Sequence, residues 1–196
     1  MIAFVRGKFA IKTPARVVVD VNGVGYDLQI SLNTYEAISK VENGQLHTYL
    51  HITENAQTLF GFADIAEKDL FLQLISVSGV GASTARMMLS GMKPDEIIRA
   101  IVQGNTKQLE GIKGIGKKSA ERLIVELRDK LSKQTIDQPL GGFATGVVGI
   151  DQDAVHALVA LGIAKPQAEN AIKKTMSNIP ADASLEMVIK QALKNL

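Results

Sequence analysis

A sixteen-residue stretch occurs twice in this chain, 35 residues apart: LISVSGVGASTARMML at 74–89 aligns with LEGIKGIGKKSAERLI at 109–124. Leu74 matches Leu109, Gly79 matches Gly114, Gly81 matches Gly116 and Ala85 matches Ala120, while Val77 and Val80 become Ile112 and Ile115. Each copy reads as helix, tight turn, helix, the turn having the form apolar-x-Gly-apolar-Gly. Two residues without a Cβ let the backbone turn sharply. They also let an anion approach main-chain N–H groups at a helix N-terminus, where the helix dipole favours negative charge. The apolar residue between the glycines, Val80 or Ile115, points back between the helices and anchors the turn. In the second copy Lys117, Lys118 and Arg122 come directly after it, and Lys113 lies within the turn.

Other readings of these glycines fail on their surroundings. Gly111, Gly116 and Lys117 have the spacing of a nucleotide-hydrolysing P-loop, but the magnesium-binding Ser or Thr is replaced by Lys118 and the preceding segment is helical rather than a buried strand. A dinucleotide fingerprint fails because its third glycine is Ser119 in one copy and Thr84 in the other. Two backbone-reading turns side by side imply duplex DNA held through its phosphates, with little base readout. A local two-fold between them would let the pair grip both strands across a minor groove.

The charge distribution agrees. Over 196 residues, 22 basic against 20 acidic side chains decide nothing as a total. By segment the balance is 5 to 5 in 1–63, 12 to 9 in 64–133 and 5 to 6 in 134–196, so the surplus lies with the repeat. Zero cysteine excludes disulfide scaffolds, iron–sulfur clusters, thiol nucleophiles and cysteine zinc sites, and suits a reducing cytoplasm. Arg6 comes too early for a signal peptide and eighteen apolar residues nowhere run together, so a soluble cytoplasmic protein is expected. His47 and His51 sit four apart in a strand without converging ligands, and His156 reads as surface. No metal and no cofactor is expected.

Residues 1–63 alternate as strands over 2–5, 15–21, 24–30, 45–52 and 58–62, with Asn22-Gly23 as a hairpin turn, a small helix near 33–39 and a polar turn at 53–55. Five short strands and one helix predict a compact β-barrel of the OB-fold type. Seven of the nine aromatics lie here, at positions that favour core packing over base stacking. From Asp64, a helix cap, the period becomes helical, with helices at 82–90, 94–103, 105–110 and 117–132 and Pro94 at a first helical position. The stretch 134–150 is rich in glycine and reads as a flexible linker; a glycine-rich coil of that length spans about 20–25 Å. Residues 151–196 then predict three short helices, at 151–161, 166–177 and 183–194.

This order of parts resembles the RuvA family, the Holliday-junction-binding subunits of a bacterial branch-migration machine. The segments MIAFVRGKF at 1–9, AQTLFGF at 56–62, SGVGASTARMMLSGM at 78–92, IKGIGKKSAERLIVELRDKL at 112–131 and ALVALGIAKPQAENAI at 157–172 carry the resemblance over essentially the whole chain. It implies an α+β multidomain protein: an OB-fold barrel, tandem helix-hairpin-helix units, the linker and a three-helix tail. It further implies a homotetramer, or an octamer of paired tetramers, holding a four-way junction open and square in homologous recombination and DNA repair. Each arm would cross one pair of hairpins. The tail would bind RuvB, a hexameric ATPase, so that the chain itself is not catalytic, and the RuvC resolvase would take the open face.

The residues implied for DNA contact are Gly79, Val80, Gly81, Ser83, Gly114, Ile115, Gly116, Lys117, Lys118 and Arg122. Ser83 stands where the family commonly has a basic residue, and Glu54-Asn55 stands where it has two acids forming a negative pin at the junction centre. In the tail Leu158, Leu161, Ile163, Ile189 and Leu193 divide between core and motor contact. Two other classes compete. A glycosylase-lyase would need Lys117 or Lys118 as its amine nucleophile with a carboxylate beside it, and Asp129 comes too soon in sequence. A generic duplex-binding scaffold would be a monomer.

Overall fold

The computed structural model describes residues 1–137, 150–176 and 183–195, which fall into two compact units, Met1–Leu140 and Gly141–Leu196. In the first unit β1 (Phe4–Thr13), β2 (Arg16–Val21), β3 (Val24–Gln29), β4 (Asn43–Thr53) and β5 (Ala56–Phe62) close a barrel in the order β1-β2-β3-β5-β4. All neighbours are antiparallel except β3 and β5, whose parallel pairing closes the barrel. Asn22 and Gly23, with φ of 52° and 90°, make the β2–β3 turn, as that dipeptide requires. The barrel core is the inward set Val5, Phe9, Val17, Val19, Leu28, Ile30, Leu46 and Leu59, with Ile38 from α1 (Leu32–Ile38). Each such side chain contributes about 1.5–3 kcal/mol on full burial.

β5 is buried on both faces, and this joins the barrel to the helical half of the unit. Leu59 points into the barrel, while Phe60 and Phe62 point out onto Phe71 of α2 (Ile65–Ile75), with ring centroids 5.1 and 5.0 Å away. Gly61, between them, faces inward where a Cβ would lie 2.8 Å from Leu28 Cδ2. These aromatics therefore pack a seam rather than a base platform. The helices α3 (Ala82–Gly91), α4 (Pro94–Val102), α5 (Thr106–Glu110) and α6 (Lys117–Asp137) complete this second core with Met88, Leu89, Ile97, Ile101, Leu109, Leu123 and Leu127. Asp64 caps α2 by accepting from Ala66 N, and Pro94 opens α4.

The start of α1 locks the two cores together by hydrogen bonds. The Ser31 and Thr34 hydroxyls donate to the two oxygens of Glu67, which is buried in α2. Asn33 Nδ2 donates to the carbonyls of Leu89 (2.6 Å) and Met92 (3.0 Å) at the end of α3. Arg86 of α3 reaches back to Gln29 and the Ala15 carbonyl on the barrel.

The second unit is α7 (Ile150–Ala160), α8 (Lys165–Met176) and α9 (Leu185–Lys194), packed on Ala154, Leu158, Ala168, Ala171, Ile172, Val188 and Ala192. Two sequence boundaries need correction. α6 runs to Asp137 instead of stopping at 132, because nothing from 133 to 137 breaks a helix, and α7 starts at Ile150. The rest of the expected linker, 138–149, lies outside the described residues.

Candidate nucleic-acid interface

The two repeat copies fold into the same turn, bond for bond. In the first, Val77 N donates to Leu74 O (3.2 Å), Val80 N to Val77 O (3.0 Å) and Ala85 N to Gly81 O (2.9 Å). In the second, Ile112 N donates to Leu109 O (3.1 Å), Ile115 N to Ile112 O (3.0 Å) and Ala120 N to Gly116 O (3.0 Å). Gly79 and Gly114 take φ of 89° and 94°, a conformation that costs an L-residue about 1–2 kcal/mol. Gly81 and Gly116 have a different reason to be glycine. A Cβ on either would meet nothing within 4 Å, so their smallness keeps open the space before each helix. Gly81 caps α3 with no side-chain bond, which leaves the first-turn N–H groups pointing outward.

Val80 and Ile115, expected among the DNA contacts, sit on the inner side of their turns. Both side chains are buried in the helical core, and both N–H groups are spent closing their own turns. They anchor the hairpins. Ser83, Lys117 and Lys118 lie at the starts of α3 and α6, and Lys113 lies in the second turn, all four open to solvent. No ion pair with a described residue neutralises these lysines, so their charge is available to an anion.

Arg122 has a structural role that the sequence did not reveal. Its Nη1 donates to Ser78 O at 3.0 Å, reaching across from α6 to the first hairpin, and lies 3.8 Å from where a Gly79 Cβ would be. Met87 is the residue 35 positions earlier, and its Cε lies 3.6 Å from where a Gly114 Cβ would be. Each copy thus covers the left-handed glycine of the other with the same repeat position. Such reciprocity is what a local two-fold between the copies requires. The signal was present in the repeat, but only as two unlike residues at equivalent positions.

Glu54 and Asn55 form the exposed two-residue turn between β4 and β5, closed by the Thr53–Ala56 pair. One groove is lined by residues of both the barrel and the first hairpin, among them Thr53, Thr58, Gly81 and Ser83. Lys117 and Lys118 line neither this groove nor the one beside Met87 and Lys113.

In the second unit, Leu158 is fully buried between the helices, the core side of the division expected from sequence. Ile163 and Ile189 pack half-buried against that core, while Leu161 and Leu193 are exposed, at 65% and 44%. Val159, Met176 and Met187 are exposed apolar residues that helical spacing alone did not single out. Among the described residues no helix is long and apolar enough to cross a membrane.

Comparison with known proteins places these parts. Residues 1–61 match the RuvA N-terminal domain, 71–129 a SAM-like helix-hairpin-helix tandem and 151–196 the RuvA C-terminal domain. The protein named Holliday junction branch migration complex subunit RuvA in Cytophaga hutchinsonii is 43% identical over 197 residues, covering 99% of both chains. Those of the same name in Bacteroides thetaiotaomicron and Flavobacterium psychrophilum are 44% and 43% identical, over the full length of each chain. With a closed five-strand barrel, two matching glycine hairpins and full-length relatives of this kind, the chain belongs to the RuvA family.

Proposed function

We propose that this protein binds Holliday junctions as the architectural subunit of a branch-migration complex, holding the four-way junction open and recruiting a hexameric ATPase, RuvB. The observation that carries the reading is the pair of reciprocally braced hairpins beside unpaired lysines, in a family whose relatives are named for that complex. Gly79, Gly81, Gly114 and Gly116 admit phosphates to backbone N–H groups. Ser83, Lys117 and Lys118 add a hydroxyl and two cations, and Arg122 braces the hairpins while keeping its charge at the surface. Because these contacts read only the backbone, preference for a junction must come from the number and angle of the arms. A homotetramer supplies that angle by fixing four hairpin pairs around one axis.

Glu54 and Asn55 are the pin at the junction centre, where four carboxylates repel phosphates and guide strand separation. The division of labour is 1–63 for assembly and the pin, 64–133 for DNA, 134–150 as linker and 151–196 for the motor, with Leu161 and Leu193 the exposed apolar contacts among the residues named from sequence. The chain needs no catalytic residue, since the ATPase supplies the energy. A cytoplasmic location and docking of the RuvC resolvase on the open face belong to the same reading.

The test is a gel-shift competition between a four-way junction and linear duplex at matched salt. Tight binding to the junction, falling steeply with salt, is expected; each phosphate contact contributes about 0.9 to the slope of log K against log salt. Equal affinity for the two DNAs overturns the reading.

A further inference from the structure

The two hairpins share a fold but differ in what stands behind them. Arg86 and Glu121 occupy equivalent positions of the repeat, 35 residues apart. Glu121 faces solvent, whereas Arg86 is half-buried against the barrel. Its Nη1 donates to the Gln29 amide oxygen at the end of β3 and to the Ala15 carbonyl (3.2 Å) in the turn between β1 and β2. That carbonyl also accepts from Ile30 N at 3.1 Å, so Arg86 is fastened to backbone that the barrel itself holds.

The place of Arg86 along α3 sets it apart from the other bonds between barrel and helices. Leu32 N and Asn33 Nδ2 donate to Ser90 Oγ, Leu89 O and Met92 O, all at the C-terminal end of α3. Ser31 and Thr34 donate to Glu67, in the first turn of α2. The first hairpin lies at the opposite end of both helices, between Ile75 and Ala82. Arg86 lies about one turn from it. From Leu89 back to Ala82 the helix rises about 10 Å, so a tilt of about 10° about the fastened end moves the hairpin by about 2 Å. The apolar seam at Phe60, Phe62 and Phe71 keeps the two halves together with little angular preference, whereas a hydrogen bond weakens steeply when its angle is bent.

In the proposed tetramer the subunits assemble through the barrel and the DNA is held at the hairpins, so the angle between the two sets the angle of each arm. We infer that Arg86 is a positioning residue for junction recognition, locking the first hairpin at a fixed angle to the barrel through Gln29 and the Ala15 carbonyl. The second hairpin follows the first because Arg122 bonds to Ser78. Arg86 thereby selects a four-way junction over linear duplex without contacting either. Arg122 differs in acting within the hairpin pair, where every arm depends on it.

This role rests on the junction reading and is tested separately from it. Wild type, Arg86→Met, Gln29→Leu, the double variant and Gln29→Glu are titrated by fluorescence anisotropy against a four-way junction and against linear duplex, with circular dichroism for folding and solution mass for assembly. Arg86→Met keeps the apolar stem and removes the guanidinium. It is expected to weaken junction binding about fivefold while leaving linear duplex, and its salt slope, within about twofold and unchanged respectively. Gln29→Leu is expected to give the same loss although Arg86 keeps its charge, the double variant no more than either single change, and Gln29→Glu, which retains an acceptor, the wild-type preference. Should Arg86→Met fail to fold, the two Gln29 variants carry the test. With a junction-preferring wild type, four results overturn the positioning role and leave the junction reading intact: an indifferent Arg86→Met, an equal loss on both DNAs with a salt slope lower by about 0.9, a Gln29→Leu that keeps the preference, or a loss accompanied by a changed solution mass. A wild type without junction preference overturns both.

Discussion

At the scale of the residue, Glu67 shows how a polar group is made safe inside the protein. Ser31 Oγ accepts from Thr34 N and Thr34 Oγ1 accepts from Ala63 N, so both hydroxyl protons are free to donate to the Glu67 carboxylate. Burial pushes this carboxyl's pKa above its ordinary 4.5, the two hydroxyl bonds oppose that shift, and the Asp64 charge adds to it. The folded state therefore holds the proton more tightly than the unfolded one. The contribution to stability is fully present below 4.5 and is lost as pH rises through the raised value. Glu67→Gln removes this dependence, so the stability of wild type relative to the variant should fall as pH rises above 4.5 in urea titrations. A second prediction separates the two kinds of glycine. Gly114→Ala should cost about 1–2 kcal/mol of stability through its backbone conformation. Gly116→Ala should unfold within about 0.5 kcal/mol of wild type yet lose affinity for DNA, since its Cβ enters only the approach to the helix. The sequence marks all four hairpin glycines alike; φ and the empty space around each tell them apart.

At the scale of the element, the matched hairpins act as one unit because Arg122 and Met87 brace them. Arg122→Met makes both copies alike at this position and removes the bond to Ser78. It should cost about 1 kcal/mol and weaken junction and linear duplex equally, because the brace serves every arm. Lys118→Glu, by contrast, should leave stability within about 0.5 kcal/mol while reducing the salt slope, as expected for a phosphate contact at the surface. The elements themselves were largely legible. Alternation gave the strands, Asn22-Gly23 the hairpin, and Asp64 and Pro94 the helix starts, since each depends on neighbours in sequence. The role of β5 was not. A strand buried on both faces has no alternation to show which of Phe60 and Leu59 belongs to which core, and that was decided by α2 packing against it.

At the scale of the whole molecule, the proposed division of labour predicts that deleting 150–196 leaves junction binding intact and abolishes stimulation of a cognate ATPase, read by phosphate release. Loss of junction binding on truncation would contradict it. The residues expected to touch the motor were the least legible. Leucine at helical spacing means the same thing in sequence whether it faces a core or a partner, and only packing sent Leu158 inward and left Leu161 exposed. What the sequence determined by itself is what local chemistry dictates: the order of barrel, hairpins and tail, the glycine turns, and the lysines beside them. What only the tertiary structure decided depends on residues far apart in the chain. Val80 and Ile115 became anchors because the helical core closed over them. Arg122 became a brace because α6 passes the first hairpin, and barrel and helices became one body because they share the aromatic seam at Phe60, Phe62 and Phe71.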